Sequence, residues 1–188
     1  IGGKTGINNK YGKNLIGSFM QPDLVLSDVS MLNSLPKREL NCGYGEILKH
    51  SIISNVKTFS YLKKNFPKII KLKSPFIERA ILDSCKIKRN IVQQDEKEKN
   101  IRKILNLGHT FAHAYEATLS YSKKLNHGEA VILGIISSAK FSLHNNILNK
   151  KDYEKIINHI DHLNISKNLN FYFKKKDINK IIKYMKAD

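Results

Sequence analysis

The apolar residues of the chain recur mostly every three or four positions, which is the spacing of an α-helix. Pro36 marks a helix start, with Glu39 in the first turn. Ser74 followed by Pro75 is a second start signal, a capping residue before a proline at the first helical position. The pattern predicts helices over residues 36–54, 75–94, 105–119, 128–145, 151–163 and 177–186.

The helix predicted over residues 128–145 is apolar on nearly every side, which is typical of a central helix. Its most apolar run, residues 130–139, is about half of the roughly 20 residues that are needed to cross a bilayer. We therefore expect a buried helix there and no membrane segment.

The first 22 residues differ, because they hold five of the ten glycines and end on Pro22. This composition predicts turns and extended backbone. Residues 23–28 have the character of a short strand. The expected fold is mainly α, a helical domain that follows a Gly-rich, partly extended N-terminal segment.

Length and composition are those of a globular domain with a core, at 188 residues and 41% hydrophobic. The chain opens on Ile1 and runs directly into a glycine motif, so we expect it to be part of a longer polypeptide. Cys42 and Cys85 show no paired spacing, which disfavours a disulfide framework and favours a reducing, cytoplasmic location.

The formal net charge of +17 raises the question of a nucleic-acid partner. The lysines, however, are scattered among Asn and Ile residues, and arginine occurs only at Arg38, Arg79, Arg89 and Arg102. Nucleic-acid-binding domains usually concentrate their charge and interleave it with aromatic residues or Arg. A small anionic substrate, met by a few inward-facing cations, is the narrower expectation.

His109 and His113 form the strongest local signal for chemistry. Their four-residue step places both imidazoles on one face of a helix. Asn106 and, if the helix extends that far, Arg102 continue the same face. An exposed polar face with two incidental histidines is the alternative for this motif alone.

His127 and Glu46 complete a possible ligand set with His109. Two His and one Glu with an open position are typical of catalytic rather than structural zinc. The sequence separations of 63 and 18 residues carry almost no specificity. A capping role for His127 and a solvated ion pair between Glu46 and Lys49 remain alternatives.

Three lysines suggest contacts to an anion. Lys88 falls within the apolar stripe of the helix predicted from Pro75, so it must reach solvent or meet an anion. Lys4 and Lys13 lie among glycines whose backbone N–H groups could cradle phosphate. The Gly-Gly-Lys-Thr-Gly string lacks the spacing of a Walker motif.

A set of short motifs, taken together in order and spacing, resembles the 3-dehydroquinate synthase family. The match spans Gly2 to about Leu143. The motifs are Gly2-Gly3-Lys4-Thr5-Gly6, Gly12-Lys13-Asn14, Gln21-Pro22, Leu35-Pro36-Lys37-Arg38-Glu39, Glu46-Ile47-Leu48-Lys49, Asp95-Glu96, Leu105-Asn106-Leu107-Gly108-His109-Thr110-Phe111-Ala112-His113 and His127-Gly128-Glu129-Ala130.

The resemblance implies a two-domain enzyme, in which an N-terminal α/β domain binds most of the NAD and a helical C-terminal domain supplies the metal and most substrate contacts. This chain looks like the second domain, with a linking segment at residues 1–35 and a helical domain at residues 36–188. The resemblance also implies an N-terminal NAD domain on the same polypeptide, a further substrate lysine beyond Asp188, and a homodimer.

The family's functional residues are carried over by position. Glu46, His109 and His127 match the ligands of one zinc or cobalt ion. Residues that match NAD contacts are Lys4, Lys13, Met31, Leu32, Asn33 and Ser34, with Ser34 in place of the commoner Thr. Residues that match the substrate-binding set are Lys4, Asn14, Lys49, Lys88, Arg102, Asn106 and His113, and we expect Lys49, Asn106 and His113 to take part in catalysis.

The implied reaction converts a phosphorylated sugar acid, 3-deoxy-D-arabino-heptulosonate 7-phosphate, to 3-dehydroquinate and phosphate in the shikimate pathway. NAD oxidises a hydroxyl, phosphate is eliminated, the ketone is reduced again, and an internal aldol step closes the ring. Three alternatives stay open: a related sugar phosphate cyclase or metal-dependent alcohol dehydrogenase, a basic binding module, and an inactive fragment.

Overall fold

The computed structural model describes residues 2–9 and 12–188, with side chains for residues 2–7 and 16–188. Among these residues the chain is mainly helical, as predicted, with one short hairpin near its start. The elements are β1 (Ile7–Asn9), β2 (Gly12–Ile16), α1 (Lys37–Ser54), α2 (Val56–Ile69), α3 (Phe76–Gln94), α4 (His109–Thr118), α5 (His127–His144), α6 (Lys150–Ile160), α7 (Leu169–Tyr172) and α8 (Ile178–Lys186). Short 3₁₀ helices occupy Val29–Ser34, Ile101–Asn106 and Lys175–Asp177.

The Gly-rich N-terminal segment forms an antiparallel hairpin, in which Ile7 pairs with Ile16 and Asn9 with Gly12. The strand predicted over residues 23–28 is wrong, because residues 24–28 have no regular element in the structure. Leu24 and Leu26 are 72% and 86% exposed, so no neighbouring sheet supports a strand here within the described residues.

The described chain divides into two compact units, each built from two stretches of sequence. The first unit comprises Ile1–Ser34 and His50–Leu105, and the second comprises Leu35–Lys49 and Asn106–Asp188. The predicted division into a linking segment at residues 1–35 and a helical domain at residues 36–188 stays a prediction.

In the first unit, α2 packs against α3. Ile91, Val92 and Leu105 form a buried cluster, with Ile53 and Ile87 packed against it. The helix predicted over residues 75–94 is confirmed, but its predicted cap is wrong because Pro75 occupies the N-cap position without a side-chain cap. The pattern missed α2, which Asn55 caps by accepting a hydrogen bond from the Thr58 amide at 3.0 Å.

In the second unit, α4 packs against both α5 and α8, and α6 packs against α5. The predicted helices here, over residues 128–145, 151–163 and 177–186, are confirmed with ends shifted by up to three residues. The first half of α5 is buried on all sides, from Gly128 to Ile135, as its uniform apolarity predicted. Asn126 and Glu129 form a capping box at its start, so a capping role for His127 is wrong.

Candidate metal centre

The helix predicted from Leu105 begins later, at His109. Gly108 has a left-handed backbone, with φ of +78°, and lies against Gly134 and Ile135 of α5. Residues other than glycine rarely adopt this conformation, so the chain turns here and Asn106 ends a separate 3₁₀ helix. The predicted common face with Arg102 and Asn106 is therefore wrong, and of these four residues only His109 and His113 lie on the same helix.

Three side chains from three helices meet in the second unit. Glu46 lies on α1, His109 begins α4 and His127 begins α5. One ligand atom from each lies within 4.8 Å of the other two. The Glu46 Oε1 atom is 3.6 Å from His109 Nε2 and 4.0 Å from His127 Nε2.

Each of the two imidazoles is held in this orientation by a contact at its other ring nitrogen, Nδ1. The Nδ1 atom of His109 is 3.3 Å from the Leu107 carbonyl oxygen, and Nδ1 of His127 is 3.1 Å from Glu116 Oε2. Because a carbonyl and a carboxylate accept hydrogen bonds, each Nδ1 carries the proton and each Nε2 keeps its lone pair. Both lone pairs then face the Glu46 carboxylate.

The charge state of His109 suits a ligand. Burial, followed by the positive charge of Lys49, lowers the pKa of His109 to about 4, although the Glu46 carboxylate acts in the opposite direction. His109 is therefore neutral near pH 7, and a neutral imidazole is the form that binds metal ions.

The ion pair between Glu46 and Lys49 is present as well. The Lys49 Nζ atom is 2.7 Å from Glu46 Oε2, while Oε1 of the same carboxylate faces the histidines. The Lys49 side chain is 4% exposed, so this pair is not the solvated one considered from the sequence. Glu46 can therefore bind Lys49 through Oε2 while Oε1 remains directed at a possible cation.

The donor set fits a single divalent metal ion. Two ligands held 2.0–2.1 Å from one tetrahedral ion lie about 3.4 Å apart, close to the shortest separation here. A carboxylate, two imidazoles and hydrogen-bonded Nδ1 atoms are the arrangement typical of zinc sites that keep a position open.

His113 borders the same cluster. Its ring centroid is 5.4 Å from that of His109 and 6.3 Å from that of His127. Its Nδ1 atom is 2.8 Å from Oδ1 of Asp188. Asn106, the last residue of the preceding 3₁₀ helix, is exposed.

Other predicted site residues belong to the first unit and are described within it. Arg102 is 2% exposed, donates from Nη2 to the Gly2 carbonyl at 2.6 Å, and also donates to the Glu96 carbonyl. Lys4 pairs with Glu98, and Lys88 is half-buried on α3. Their predicted roles stay predictions.

The remaining predicted contacts lie in the N-terminal segment. The side chains of Lys13 and Asn14 are outside the described residues. Met31, Leu32, Asn33 and Ser34 lie in the 3₁₀ helix Val29–Ser34, where the Ser34 hydroxyl donates to the Met31 carbonyl at 2.9 Å. Met31 is 66% exposed, and the predicted NAD contacts of this segment stay predictions.

The sequence reasoning missed Glu116 and Asp188, which hold the Nδ1 atoms of His127 and His113. Glu116 carried a usable signal, because it lies seven residues after His109 and thus on the same face of α4. Asp188 carried none, since it reaches His113 only through the packing of α8 against α4.

Across the part of the chain that the structure describes, no helix combines the length and apolarity that a bilayer crossing requires.

Family models and curated relatives that match this chain point to the same family. A model of the 3-dehydroquinate synthase C-terminal region matches residues 43–188, and a model of the N-terminal region of the same family matches residues 1–42. A 3-dehydroquinate synthase of Pelagibacter ubique (strain HTCC1062) is 64% identical over 188 residues, covering 100% of this chain and 51% of the relative. One from Desulforamulus reducens is 44% identical over 156 residues, covering 83% of this chain and 43% of the relative.

Solved structures match the fold over nearly the whole chain. A 2-epi-5-epi-valiolone synthase from Streptomyces hygroscopicus with NAD⁺ and Zn²⁺ bound has a TM-score of 0.86 at 21% identity, covering 100% of this chain and 52% of its own. A 2-deoxy-scyllo-inosose synthase complexed with carbaglucose-6-phosphate, NAD⁺ and Co²⁺ has a TM-score of 0.83 at 24% identity, covering 99% and 49%.

The chain spans about half the length of the curated relatives that it matches. The predicted fold class, the helical C-terminal domain of this architecture, is confirmed. The matches over residues 1–42 and 43–188, together with the 64% identity, show that the chain belongs to the 3-dehydroquinate synthase family.

Proposed function

We propose that the protein containing this chain is a 3-dehydroquinate synthase, an NAD- and metal-dependent carbon–oxygen lyase of the cytoplasm. It converts 3-deoxy-D-arabino-heptulosonate 7-phosphate to 3-dehydroquinate and phosphate. The convergence of Glu46, His109 and His127 is the observation that carries the proposal, because their ligand atoms lie within 4.8 Å of one another. Family membership supports the choice of reaction.

Glu46, His109 and His127 hold one zinc or cobalt ion in this proposal. A bound divalent ion supplies a Lewis acid, which lowers the pKa of a coordinated substrate hydroxyl and favours its oxidation by NAD. The related synthases of known structure that carry NAD⁺ with Zn²⁺ or Co²⁺ support both cofactors.

Lys49 and His113 act beside the ligands. Lys49 is held by the Glu46 carboxylate and carries a buried positive charge at the edge of the ligand set. Such a charge favours the ionised form of a substrate oxygen. His113 has its Nδ1 held by Asp188 at 2.8 Å, which leaves Nε2 to accept or return a proton.

Lys4, Lys13 and the segment Met31–Ser34 contact NAD, and most of the NAD site belongs to the N-terminal domain of the intact protein. Asn14, Asn106 and His113 bind the phosphate group. Lys88 and Arg102 bind the carboxylate, for which Arg provides paired N–H donors. Nη1 and Nη2 of Arg102 each donate one hydrogen bond to a backbone carbonyl, which leaves the remaining N–H groups of the guanidinium for the carboxylate.

A related sugar phosphate cyclase is the second candidate, because solved cyclases share the fold. Their sequence identities of 21% and 24% support only a shared fold. The relative that is 64% identical is a 3-dehydroquinate synthase. The same family membership argues against a metal-dependent alcohol dehydrogenase and a basic binding module. The proposed homodimer rests on the resemblance.

The test uses the intact protein, freed of metal and then reloaded with one equivalent of Zn²⁺ or Co²⁺. Phosphate release from 3-deoxy-D-arabino-heptulosonate 7-phosphate with NAD should require the metal and should fall at least about 100-fold in His109→Ala. His144→Ala is the matched control, because His144 is an exposed histidine at the end of α5. Undiminished release after thorough chelation, or in His109→Ala, would contradict the proposal.

One further measurement separates the two candidates. Formation of 2-epi-5-epi-valiolone or 2-deoxy-scyllo-inosose from a sugar phosphate, without phosphate release from the heptulosonate, would favour the other cyclases. A pH–rate profile of His113→Asn that matches the wild-type profile would refute proton transfer by His113.

A further inference from the structure

Glu116 is a buried acid of α4 that lies directly behind the proposed ligand His127. Its side chain is 5% exposed, and its Oε2 atom is 3.1 Å from His127 Nδ1. The backbone of Glu116 is fixed as well, because its carbonyl accepts a hydrogen bond from the Tyr121 amide at 2.8 Å. This hydrogen bond fixes the main chain at Glu116 and so limits the movement of its side chain.

The helical spacing explains how Glu116 reaches this position. Glu116 follows His109 by seven residues, which is about two turns, so both side chains lie on the same face of α4. The helix α4 thus supplies the proposed ligand His109 and also the carboxylate of Glu116, which contacts the proposed ligand His127 at the start of α5.

The two histidines differ in how firmly packing holds them. The His109 side chain is 12% exposed, whereas the His127 side chain is 45% exposed. A buried ring is held by its neighbours, but a half-exposed ring at the first position of a helix can rotate towards solvent. His127 therefore depends on its hydrogen bond more than His109 does.

The contact also determines which nitrogen of His127 is available. A carboxylate at Nδ1 keeps the proton there and leaves the lone pair on Nε2, which faces Glu46 Oε1 at 4.0 Å. Its negative charge also makes the imidazole a stronger ligand. Lys49 neutralises part of the charge on Glu46, so a second buried carboxylate improves the charge balance around a divalent ion.

We propose that Glu116 is a positioning residue that sets metal affinity by orienting His127. The inference rests on the metal site of the proposed function, and it assigns a role to a residue outside the ligand and substrate sets. Losing such a partner of a metal-bound histidine typically weakens metal binding about 10- to 100-fold.

The experiment measures the Zn²⁺ dissociation constant of the intact protein, without substrate, in competition with a chromogenic chelator. Glu116→Gln keeps the shape but removes the charge, and Kd should rise about 10- to 100-fold. Glu154→Gln is the matched control, because Glu154 is an exposed acid of α6, and its Kd should stay within about twofold of wild type. Visible spectra of the Co²⁺-loaded proteins report any change in ligand geometry.

A second comparison separates orientation of His127 from a general structural effect. If Glu116 acts through His127, adding Glu116→Gln to His127→Ala should weaken Zn²⁺ binding by less than about threefold. The same loss in both backgrounds would overturn the proposal. Equal affinity of wild type and Glu116→Gln would overturn it too.

The remaining outcomes are also decisive. A wild-type protein that binds no Zn²⁺ or Co²⁺ refutes the proposed function itself, and with it the role of Glu116. Should Glu116→Gln fail to fold by circular dichroism, Glu116→Asp carries the test, because it keeps the charge but shortens the reach by one methylene. Its Kd should then rise at least about threefold, and an unchanged Kd would contradict the inference.

Discussion

Gly134 of α5 and Gly108 at the start of α4 bring two backbones into contact beside His109, a proposed metal ligand. A Cβ atom at Gly134 would lie against the Gly108 carbonyl oxygen and 2.9 Å from its carbonyl carbon. Real Cβ atoms essentially never come within 3.0 Å of such atoms, so the backbone at Gly108 or at position 134 must shift. The obstacle is backbone, which cannot rotate away as a side chain can.

The expected cost of Gly134→Ala follows from two opposing effects. Alanine in a helix interior is favoured over glycine by about 1 kcal/mol. Overpacking of a rigid contact costs about 3 kcal/mol, at the upper end of the usual range. The free energy of unfolding should fall by about 2 kcal/mol, which is about a thirtyfold change in the unfolding equilibrium.

Gly43→Ala is the matched control, the same change at an exposed helical glycine of the second unit. A Cβ at Gly43 would meet no atom within 4 Å. Only the gain in helix propensity acts there, so the free energy of unfolding should rise by up to about 1 kcal/mol.

The assay is urea denaturation of the intact protein, followed by circular dichroism, together with the Zn²⁺ titration. Gly134→Ala should also weaken Zn²⁺ binding, because moving Gly108 moves His109. The reasoning would be refuted if Gly134→Ala unfolded at the wild-type urea concentration, or if the two alanine variants were indistinguishable.

Two further predictions concern buried polar groups. Tyr44→Phe removes the hydroxyl that lies 2.6 Å from Nε2 of the fully buried His159, and it should lower the free energy of unfolding by about 1–3 kcal/mol in urea denaturation. Desolvation raises the pKa of the Asp95 carboxyl, but hydrogen bonds from the backbone amides of Arg102, Asn100 and Lys99 leave it below the ordinary value. The stability advantage of wild type over Asp95→Asn should therefore be complete near pH 7 and disappear as the pH falls through this lowered pKa. If the difference in free energy of unfolding between the two proteins stayed the same from pH 7 to pH 2, the prediction would be contradicted.

The sequence by itself determined most helices and the residue types of the site. Helix periodicity and start signals are local, since they depend on side chains three or four residues apart and on hydrogen bonds within one segment. The bounds of α1, α3 and α5 were therefore predicted to within one residue. The segment α2 was overlooked, although Asn55 and the apolar spacing of Phe59, Leu62, Phe66 and Ile69 are present in it.

Only the tertiary structure decided where chemistry can occur. The separations of 63 and 18 residues say nothing about distance, and Glu46, His109 and His127 meet because three helices pack in one unit. The start of α4 at His109, rather than Leu105, follows from the contact of Gly108 with α5. Glu116 and Asp188 likewise gain their histidine partners through packing, because contacts between remote residues depend on how backbones approach and not on local pattern.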